Sequence, residues 1–358
     1  MPVPVATATL SPETFDPVFE TVAEDVRQGS VPSLALAIGD ATGLVRKAVF
    51  SGPGQPTLPA DGLFFLASVT KAIFATALMQ LVEDGTLVLD RPVAEWLPEF
   101  TGDGKAAVTL RHLLTHTSGV PDIAPDVLRR TRPSGKRMTE LSITAPLRFW
   151  PGTRWEYCTT SFYLLAEVCR RATGLSGTDF LRQRLLEPLA MNDTTYDPRA
   201  SGLPLVPVRG VGADNRLRRF LLLRYMASIA HPGGGLFATL DDLLRFGAAL
   251  LRPRREDGRW LPISADTFAL MGEDHVGGLP GRYNDEDLPV HHGLGWAKST
   301  LMKDVPGSAR VVDHGGATGT RLWIDPDAGL VFVFFTNEWD TDRGPELTAL
   351  RATYQALG

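Results

Sequence analysis

The sequence contains few lysines and no long apolar run. Of its 36 basic residues only six are lysines. No stretch reaches the ~18 consecutive apolar residues that a transmembrane helix needs. The first residues also lack the basic segment and apolar core of a signal peptide. We therefore expect no membrane span and no leader. Because lysines are so scarce, the surroundings of each lysine become informative.

Cysteine is almost as scarce. Cys158 and Cys169 are the two cysteines, and both fall in a stretch that is predicted to form one helix. Their eleven-residue separation corresponds to roughly 16 Å along a helix, which is too far for a disulfide. We expect two reduced thiols and hence a cytoplasmic location.

The composition is that of an ordinary globular protein with a sizeable core. Apolar residues make up 44% and charged residues 22% of a chain of 358 residues, which exceeds one typical domain. The formal net charge of −5 argues against nucleic acid or an anionic membrane as the main partner. Nothing in the sequence indicates an oligomeric state.

The pattern of predicted elements is β-rich at both ends of the chain and helical between them. After an N-terminal amphipathic helix, two short β-rich runs at 33–40 and 44–52 form a predicted hairpin. Three more runs, 309–316, 320–327 and 329–337, alternate with turn residues before a last helix.

This order predicts an α+β fold, in which one antiparallel β-sheet is assembled from both termini and flanked by the N- and C-terminal helices. Residues 1–66 and 235–358 would form the sheet domain, and residues 67–234 an inserted, mainly helical lobe. A site is expected in the cleft between the two.

A hydroxyl and an amine stand three positions apart in the apolar stretch FFLASVTKAIF, residues 64–74. Ser68 is predicted to begin a buried helix, so that Lys71 lies on the same helix face. Burial lowers the pKa of a lysine, which can then accept the serine proton. In the alternative, Ser68 only caps the helix and Lys71 extends to solvent. This window alone leaves both interpretations open.

Two further stretches offer partners for this pair. Tyr157 stands in an aromatic turn before a predicted helix, where a phenol can relay protons, although a packed tyrosine is the commoner case. In VVDHGGATGT, residues 311–320, two glycines allow backbone N–H groups to approach an oxyanion, and His314 can donate a hydrogen bond. A glycine-rich hairpin is the alternative there.

These three stretches, taken in order, carry a family resemblance. Ser68-Val69-Thr70-Lys71, Tyr157-Cys158-Thr159 and His314-Gly315-Gly316 resemble the three motifs of the serine β-lactamase and penicillin-recognising superfamily. Within it the chain is most similar to class C-like members and family VIII carboxylesterases. LRHLLTHTSGVPD, PGTRWEY, PGGGLFATLDDLLRF and GLGW also fit. The resemblance implies an antiparallel sheet flanked by helices, a helical second lobe and a cleft between them.

The resemblance also implies a role for each motif residue. Ser68 would be the nucleophile that becomes acylated, and Lys71 would accept its proton. Tyr157 would complete the relay and later activate the deacylating water. The backbone N–H groups of Ser68 and of Ala317, which follows Gly316, would form the oxyanion hole. The mechanism would pass through an acyl-enzyme without a metal or cofactor.

Two departures from the family pattern bear on the substrate. Thr159 stands where the family often has an asparagine that contacts a substrate amide. His314 stands where a lysine often holds a substrate carboxylate. A neutral ester needs neither contact, so we predict a carboxylesterase for small carboxylic esters. An amide or D-amino-acid peptide hydrolase with weak β-lactamase activity is the alternative, and a non-catalytic penicillin-binding-like sensor is a further one.

Other histidines do not form a recognisable metal motif. His112 and His116 have the i,i+4 spacing of zinc ligands, but the glutamate of a metalloprotease and a third ligand are missing from the pattern. We expect packing or helix-end roles for both.

Two predictions concern the walls of the site. Trp155, Phe162 and Trp323 are candidates for the lining of an apolar acyl pocket. The segment 120–140 stands where family members place a mobile wall over the site, so it is a candidate determinant of substrate size.

Overall fold

The computed structural model describes residues 10–210, 216–252, 262–283, 286–302 and 304–358. The first nine residues, within the stretch where no signal peptide is predicted, lie outside this described part.

Helices and strands follow the predicted order along the chain. The helices are α1 (Asp16–Gln28), α2 (Val69–Glu83), α3 (Leu110–Leu114), α4 (Pro125–Thr131), α5 (Gly135–Thr144), α6 (Ser161–Thr173), α7 (Gly177–Leu181), α8 (Arg216–Ile229), α9 (Leu240–Leu251), α10 (Ala265–Met271) and α11 (Gly344–Leu357). The strands are β1 (Ser33–Asp40), β2 (Gly43–Ser51), β3 (Phe64–Phe65), β4 (Trp155–Glu156), β5 (Phe237–Ala238), β6 (Gly281–Tyr283), β7 (Glu286–Leu288), β8 (Val312–Gly316), β9 (Thr320–Asp325) and β10 (Leu330–Phe335). None of the described helices is long and apolar enough to cross a bilayer.

A five-stranded antiparallel sheet is built from both ends of the chain. Its strand order is β2-β1-β10-β9-β8, so the N-terminal hairpin pairs with the last strand of the C-terminal meander. In the central pair, Ala37 lies opposite Val333. The predicted α+β fold, with one sheet assembled from the two termini, is confirmed.

Alternating side chains direct the two faces of this sheet into different packing layers. Leu36, Phe332 and Trp323 pack with α1 and α11 on one face. Ala37 and Val333 pack on the other face with α2 and α9. Both faces are therefore covered, which is why β1 and β10 are buried along their whole length.

Helix α2 runs through the centre of the molecule. Its residues are apolar on all sides and buried almost without interruption from Val69 to Met79, as predicted for this helix. The same continuous core cluster contains Ala37 of the sheet, Phe74 of α2 and Phe162 of α6. Because the core is continuous across the predicted boundaries at 66/67 and 234/235, the division into two domains stays a prediction.

The helix predicted to hold both cysteines is shorter than expected. Cys169 lies in α6, but Cys158 lies in the turn that precedes it, where its carbonyl accepts a hydrogen bond from Ser161 Oγ at 2.9 Å. Placing Cys158 on the helix was therefore wrong, because α6 begins only at Ser161, after the turn that carries Tyr157 and Cys158. Both thiols are buried and free.

Candidate active site

Ser68 occupies the N-terminal end of α2 in a constrained backbone. Ala67, immediately before it, has φ +45°, which is costly for a residue with a side chain. Ser68 makes no side-chain capping hydrogen bond, and its Oγ lies 3.2 Å from Lys71 Nζ. The structure therefore contradicts the alternative in which Ser68 only caps the helix.

Contacts from β8 and β9 hold this backbone in place. Thr320 Oγ1 donates to the Leu66 carbonyl at 2.9 Å. Gly316 packs so closely beneath the turn that a Cβ there would lie 2.3 Å from the Leu66 carbonyl oxygen and 3.3 Å from Ala67 Cβ. The glycine of the third motif is thus required by the close approach of two backbones.

Lys71 is fully buried beside the serine. Its Nζ donates to the Gly233 carbonyl at 2.7 Å and lies 3.2 Å from Thr159 Oγ1. Burial lowers the pKa of this amine to about 7, against the opposing attraction of Asp122. The amine is therefore uncharged in a large fraction of molecules near neutral pH.

The three partners of Lys71 fix which position remains for the serine proton. A neutral amine has two N–H donors and one lone pair. The Gly233 carbonyl can only accept, so it holds one N–H, and the Thr159 hydroxyl can accept the other. The lone pair is then left for the third partner, the Ser68 hydroxyl. The arrangement suits proton transfer from Ser68 to Lys71.

The Gly233 carbonyl is itself positioned by His231, which is partly exposed in the cavity wall. His231 Nδ1 accepts a hydrogen bond from the Gly233 N–H at 3.0 Å, and burial lowers the pKa of this imidazole to about 3. A Cβ on Gly233 would lie 2.9 Å from Phe162 Cβ. The sequence stretch PGGGLF was recognised as a family feature, but neither His231 nor this carbonyl was singled out.

Tyr157 lies against the lysine and a buried histidine, His116. Lys71 Nζ is 4.7 Å from the centre of the Tyr157 ring, and the His116 ring is 4.5 Å from it. His116 Nδ1 accepts from the Cys158 N–H at 3.2 Å, which fixes the turn that carries the tyrosine. The motif tyrosine is thus brought to the Ser68–Lys71 pair from a distant part of the chain.

Neutral imidazoles surround the amine. His116, His292 and His314 are buried, and burial is the main cause that lowers the pKa of each, in His292 to about 4. The rings of His116 and His292 are 4.9 Å apart. Sequence analysis gave His292 no role, because its partner lies far away in the chain and no local spacing relates the two.

The helix-end role predicted for His112 is confirmed. Its Nδ1 accepts from the Thr109 N–H at 3.1 Å in the capping box of α3. His116, four residues later, packs against Tyr157 instead. The two histidines of the i,i+4 pair therefore have different roles, one in a helix cap and one in the packing of the site.

A cavity of about 750 Å³ opens in front of the serine. Ser68, Tyr157, Thr159 and Ala317 of the predicted site line it. Most of the remaining wall is apolar, and it is formed by Phe65, Ile123, Ala124, Leu205, Val206, Pro207, Val208, Leu222, Met226, Phe237 and Trp339.

The other predicted site residues lie behind the cavity wall. Lys71 is beneath Ser68, and His314 and Gly316 are on β8, the edge strand of the sheet. His314 is buried, with Nδ1 2.9 Å from the Gly315 carbonyl oxygen. On the outer side of β8, Asp313 exchanges backbone hydrogen bonds with Ala297 at 2.8 and 3.2 Å, and Ala317 follows the end of the strand at the cavity.

The predicted aromatic lining needs correction. Trp323 lies on the opposite face of the sheet, where its Nε1 donates to Tyr354 at 3.0 Å, because alternation along β9 turns it away from the site. Phe162 lies under Lys71, 5.6 Å from Nζ, and Trp155 packs beside His292. From the segment 120–140, the first residues Asp122, Ile123 and Ala124 do line the cavity.

Comparison with known proteins places this arrangement in a family. The β-lactamase family model matches residues 18–356. The chain belongs to the β-lactamase family. Esterase EstB of Burkholderia gladioli is 31% identical over 344 residues, covering 83% of this chain and 83% of that protein. Penicillin-binding protein 4 of Amycolatopsis lactamdurans is 29% identical over 323 residues, covering 86% and 81%.

A solved structure supports the same fold. The crystal structure of a family VIII carboxylesterase has a TM-score of 0.77 at 20% identity, over 97% of this chain and 98% of that chain. The superfamily resemblance and the β-lactamase fold predicted from the sequence are confirmed. The relatives of this chain therefore include both an esterase and a penicillin-binding protein.

Proposed function

We propose that this β-lactamase family protein is a serine carboxylesterase that hydrolyses small carboxylic esters through an acyl-enzyme. The observation that carries the proposal is the fully buried Lys71 amine, whose pKa is lowered to about 7, 3.2 Å from the Ser68 hydroxyl at the floor of a mostly apolar cavity. Similarity to esterase EstB supports the ester as substrate class.

Acylation begins with the neutral amine. Lys71 accepts the Ser68 proton through its lone pair while its two N–H groups stay on Gly233 and Thr159. The Ser68 oxygen then attacks the ester carbonyl, and the N–H groups of Ser68 and Ala317 stabilise the oxyanion. Tyr157 passes the proton to the departing alcohol oxygen.

Deacylation reverses the direction of these proton transfers. A water molecule enters where the alcohol left, and Tyr157 with Lys71 removes its proton as the water attacks the acyl carbonyl. The Ser68 oxygen regains a proton and the carboxylic acid departs. No group other than those of the chain and the water is needed in either step.

The charges around the cavity favour an ester over a substrate with a carboxylate. Arg148, one of the two arginines in the wall, forms an ion pair with Glu156 at 2.7 Å. Thr159, which replaces the amide-binding asparagine of the family, has its hydroxyl on Lys71. A substrate carboxylate or amide would compete with contacts that already exist, whereas a neutral ester would not.

The test is hydrolysis of p-nitrophenyl acetate and butyrate by the wild type and Ser68→Ala. We expect turnover that falls at least about 10³-fold in the variant. Ser142→Ala is the control, because Ser142 is buried outside the cavity lining and its Oγ donates to a carbonyl within its own helix at 2.7 Å. Mass spectrometry after a fluorophosphonate label should place the adduct on Ser68.

A peptide substrate and nitrocefin complete the panel. Turnover of a D-alanyl peptide or of nitrocefin exceeding that of the esters would replace the proposal with the peptidase or lactamase alternative. A labelled Ser68 without turnover of any substrate would favour the sensor. The free thiols fit the proposed cytoplasmic location of such an enzyme.

A further inference from the structure

Helix α8 carries an apolar ridge on its outer surface. Leu217, Phe220 and Leu221 are 63%, 49% and 41% exposed. They stand at i, i+3 and i+4, so they lie on one face of the helix. Exposed apolar residues that are grouped in this way mark an interaction site more often than scattered ones do.

The inner side of the same helix forms part of the cavity. Leu222 and Met226 line the cavity, and Leu222 is itself 41% exposed. Tyr225 Oη donates to the Pro133 carbonyl at 3.0 Å, which fixes α8 to the segment before α5. The ridge therefore lies directly beside the opening of the proposed active site.

Positive charge is concentrated around this ridge. Arg224 of α8 is exposed, and the neighbouring segment adds the exposed side chains of Arg130, Arg132, Lys136 and Arg137. The Tyr225–Pro133 contact brings the two segments together. Arg130 and Arg137 pair with Asp126 and Glu140 at the surface, where all four side chains are at least 44% exposed and the two guanidinium groups stay accessible to headgroups.

We propose that this face, defined by Leu217, Phe220, Leu221 and Arg224 of α8 with the basic residues Arg130, Arg132, Lys136 and Arg137, docks on an anionic phospholipid surface. The ridge enters the boundary between headgroups and acyl chains, while the cations contact anionic headgroups. The net charge of −5 predicts repulsion of the rest of the molecule, so the charge distribution also orients it.

The chemistry of this face favours lipid over other partners. A second copy of the chain would bring the same cations against each other, and like charges at close range oppose association. A nucleic acid would use the cations, but two of the three ridge residues, Leu217 and Leu221, offer no ring on which a base could stack. Docking on lipid would also place the cavity opening at the surface from which an ester dissolved in a membrane can enter.

The test is co-flotation with vesicles of phosphatidylcholine alone and of phosphatidylcholine mixed with phosphatidylglycerol. We expect binding to the mixed vesicles that weakens with added salt, and roughly tenfold weaker binding to the neutral ones. The triple variant Leu217→Ser, Phe220→Ser, Leu221→Ser should lose most of this binding. Leu301→Ser with Met302→Ser is the control, because these two residues are similarly exposed elsewhere.

Three outcomes would overturn the inference. These are no binding of the wild type to mixed vesicles, equal binding to both vesicle types, and equal binding by the triple variant. Light scattering that shows a wild-type dimer, which the triple variant converts to a monomer, would assign the ridge to a second copy instead.

The proposed function is tested separately. Ser68→Ala should bind vesicles as the wild type does, and the triple variant should keep its turnover of a water-soluble ester because the three residues do not line the cavity.

Discussion

Lys71 and Lys298, two of the three lysines that are buried in the described part of the chain, differ in what surrounds their amines. Lys298 is only 2% exposed, and its Nζ donates to the carbonyls of Ala309 (2.8 Å) and Val311 (2.5 Å). Lys71 is equally buried, but it contacts one carbonyl and the hydroxyls of Ser68 and Thr159. Burial lowers the pKa of both amines, while Asp313 opposes this effect at Lys298.

The difference separates a structural amine from a base. Carbonyl oxygens only accept hydrogen bonds, so they hold the N–H groups of an amine and have no proton to give it. Hydroxyl groups can donate, so a neutral amine beside them keeps its partners and can receive a proton. The partners of a buried lysine, more than its burial, thus indicate whether its basicity is used.

The largest expected effect comes from exchanging each lysine for methionine. Lys71→Met should lower kcat for p-nitrophenyl butyrate by at least about 10³-fold, because the acceptor of the Ser68 proton is lost. It should lower the Tm less than Lys298→Met does, because one buried carbonyl, that of Gly233, loses its donor instead of two.

Lys298→Met should do the reverse. It leaves two buried carbonyls without their donor, so we expect a loss of about 2–4 kcal/mol in the free energy of unfolding. The kcat per folded molecule should change by less than roughly threefold, on the scale of substitutions outside the reacting groups. Equal losses of kcat in both variants would break the comparison between the two amines.

Only part of this comparison could be predicted from the sequence. The Ser68–Lys71 pair is local, since helix geometry alone brings i and i+3 together. The Gly233 carbonyl comes from a loop 162 residues away, and no periodicity relates it to Lys71. His292 was missed for the same reason.

The sheet shows the same limit. Its strands follow from alternation and turn residues, but Trp323, a candidate for the lining of the acyl pocket, lies on the opposite face. Alternation separates neighbours such as Leu322 and Trp323 without saying which of them faces α2. Only the pairing with β10 and the position of α11 decide that.

A smaller effect is expected from changing Thr159, whose hydroxyl contacts the Lys71 amine, whereas the Lys298 amine contacts carbonyls. Thr159→Val removes the acceptor of one Lys71 N–H and should lower kcat/KM roughly tenfold, the size of one hydrogen bond. Thr159→Ser keeps the hydroxyl and should recover most of the activity. If the valine variant matched the wild type, Thr159 would have no part in holding the neutral amine.

The pH dependence should sharpen the comparison further. Only the neutral Lys71 accepts a proton, and its pKa is about 7. Protonation therefore removes activity as the pH falls, and kcat/KM should decline about tenfold per pH unit below the pKa. Lys298→Met should keep the same midpoint, since that amine takes no part. A profile that is flat between about pH 5 and 8 would exclude a base with this pKa.

The most direct test is the titration of Lys71 itself by NMR. With only six lysines in the chain, protein labelled with ¹³C at the lysine Cε gives few signals, and the one absent from Lys71→Met identifies the residue. We predict that this signal titrates with a midpoint near 7. A midpoint near the ordinary lysine value of about 10.4 would show that the amine remains a cation at neutral pH, and would contradict its role as the base.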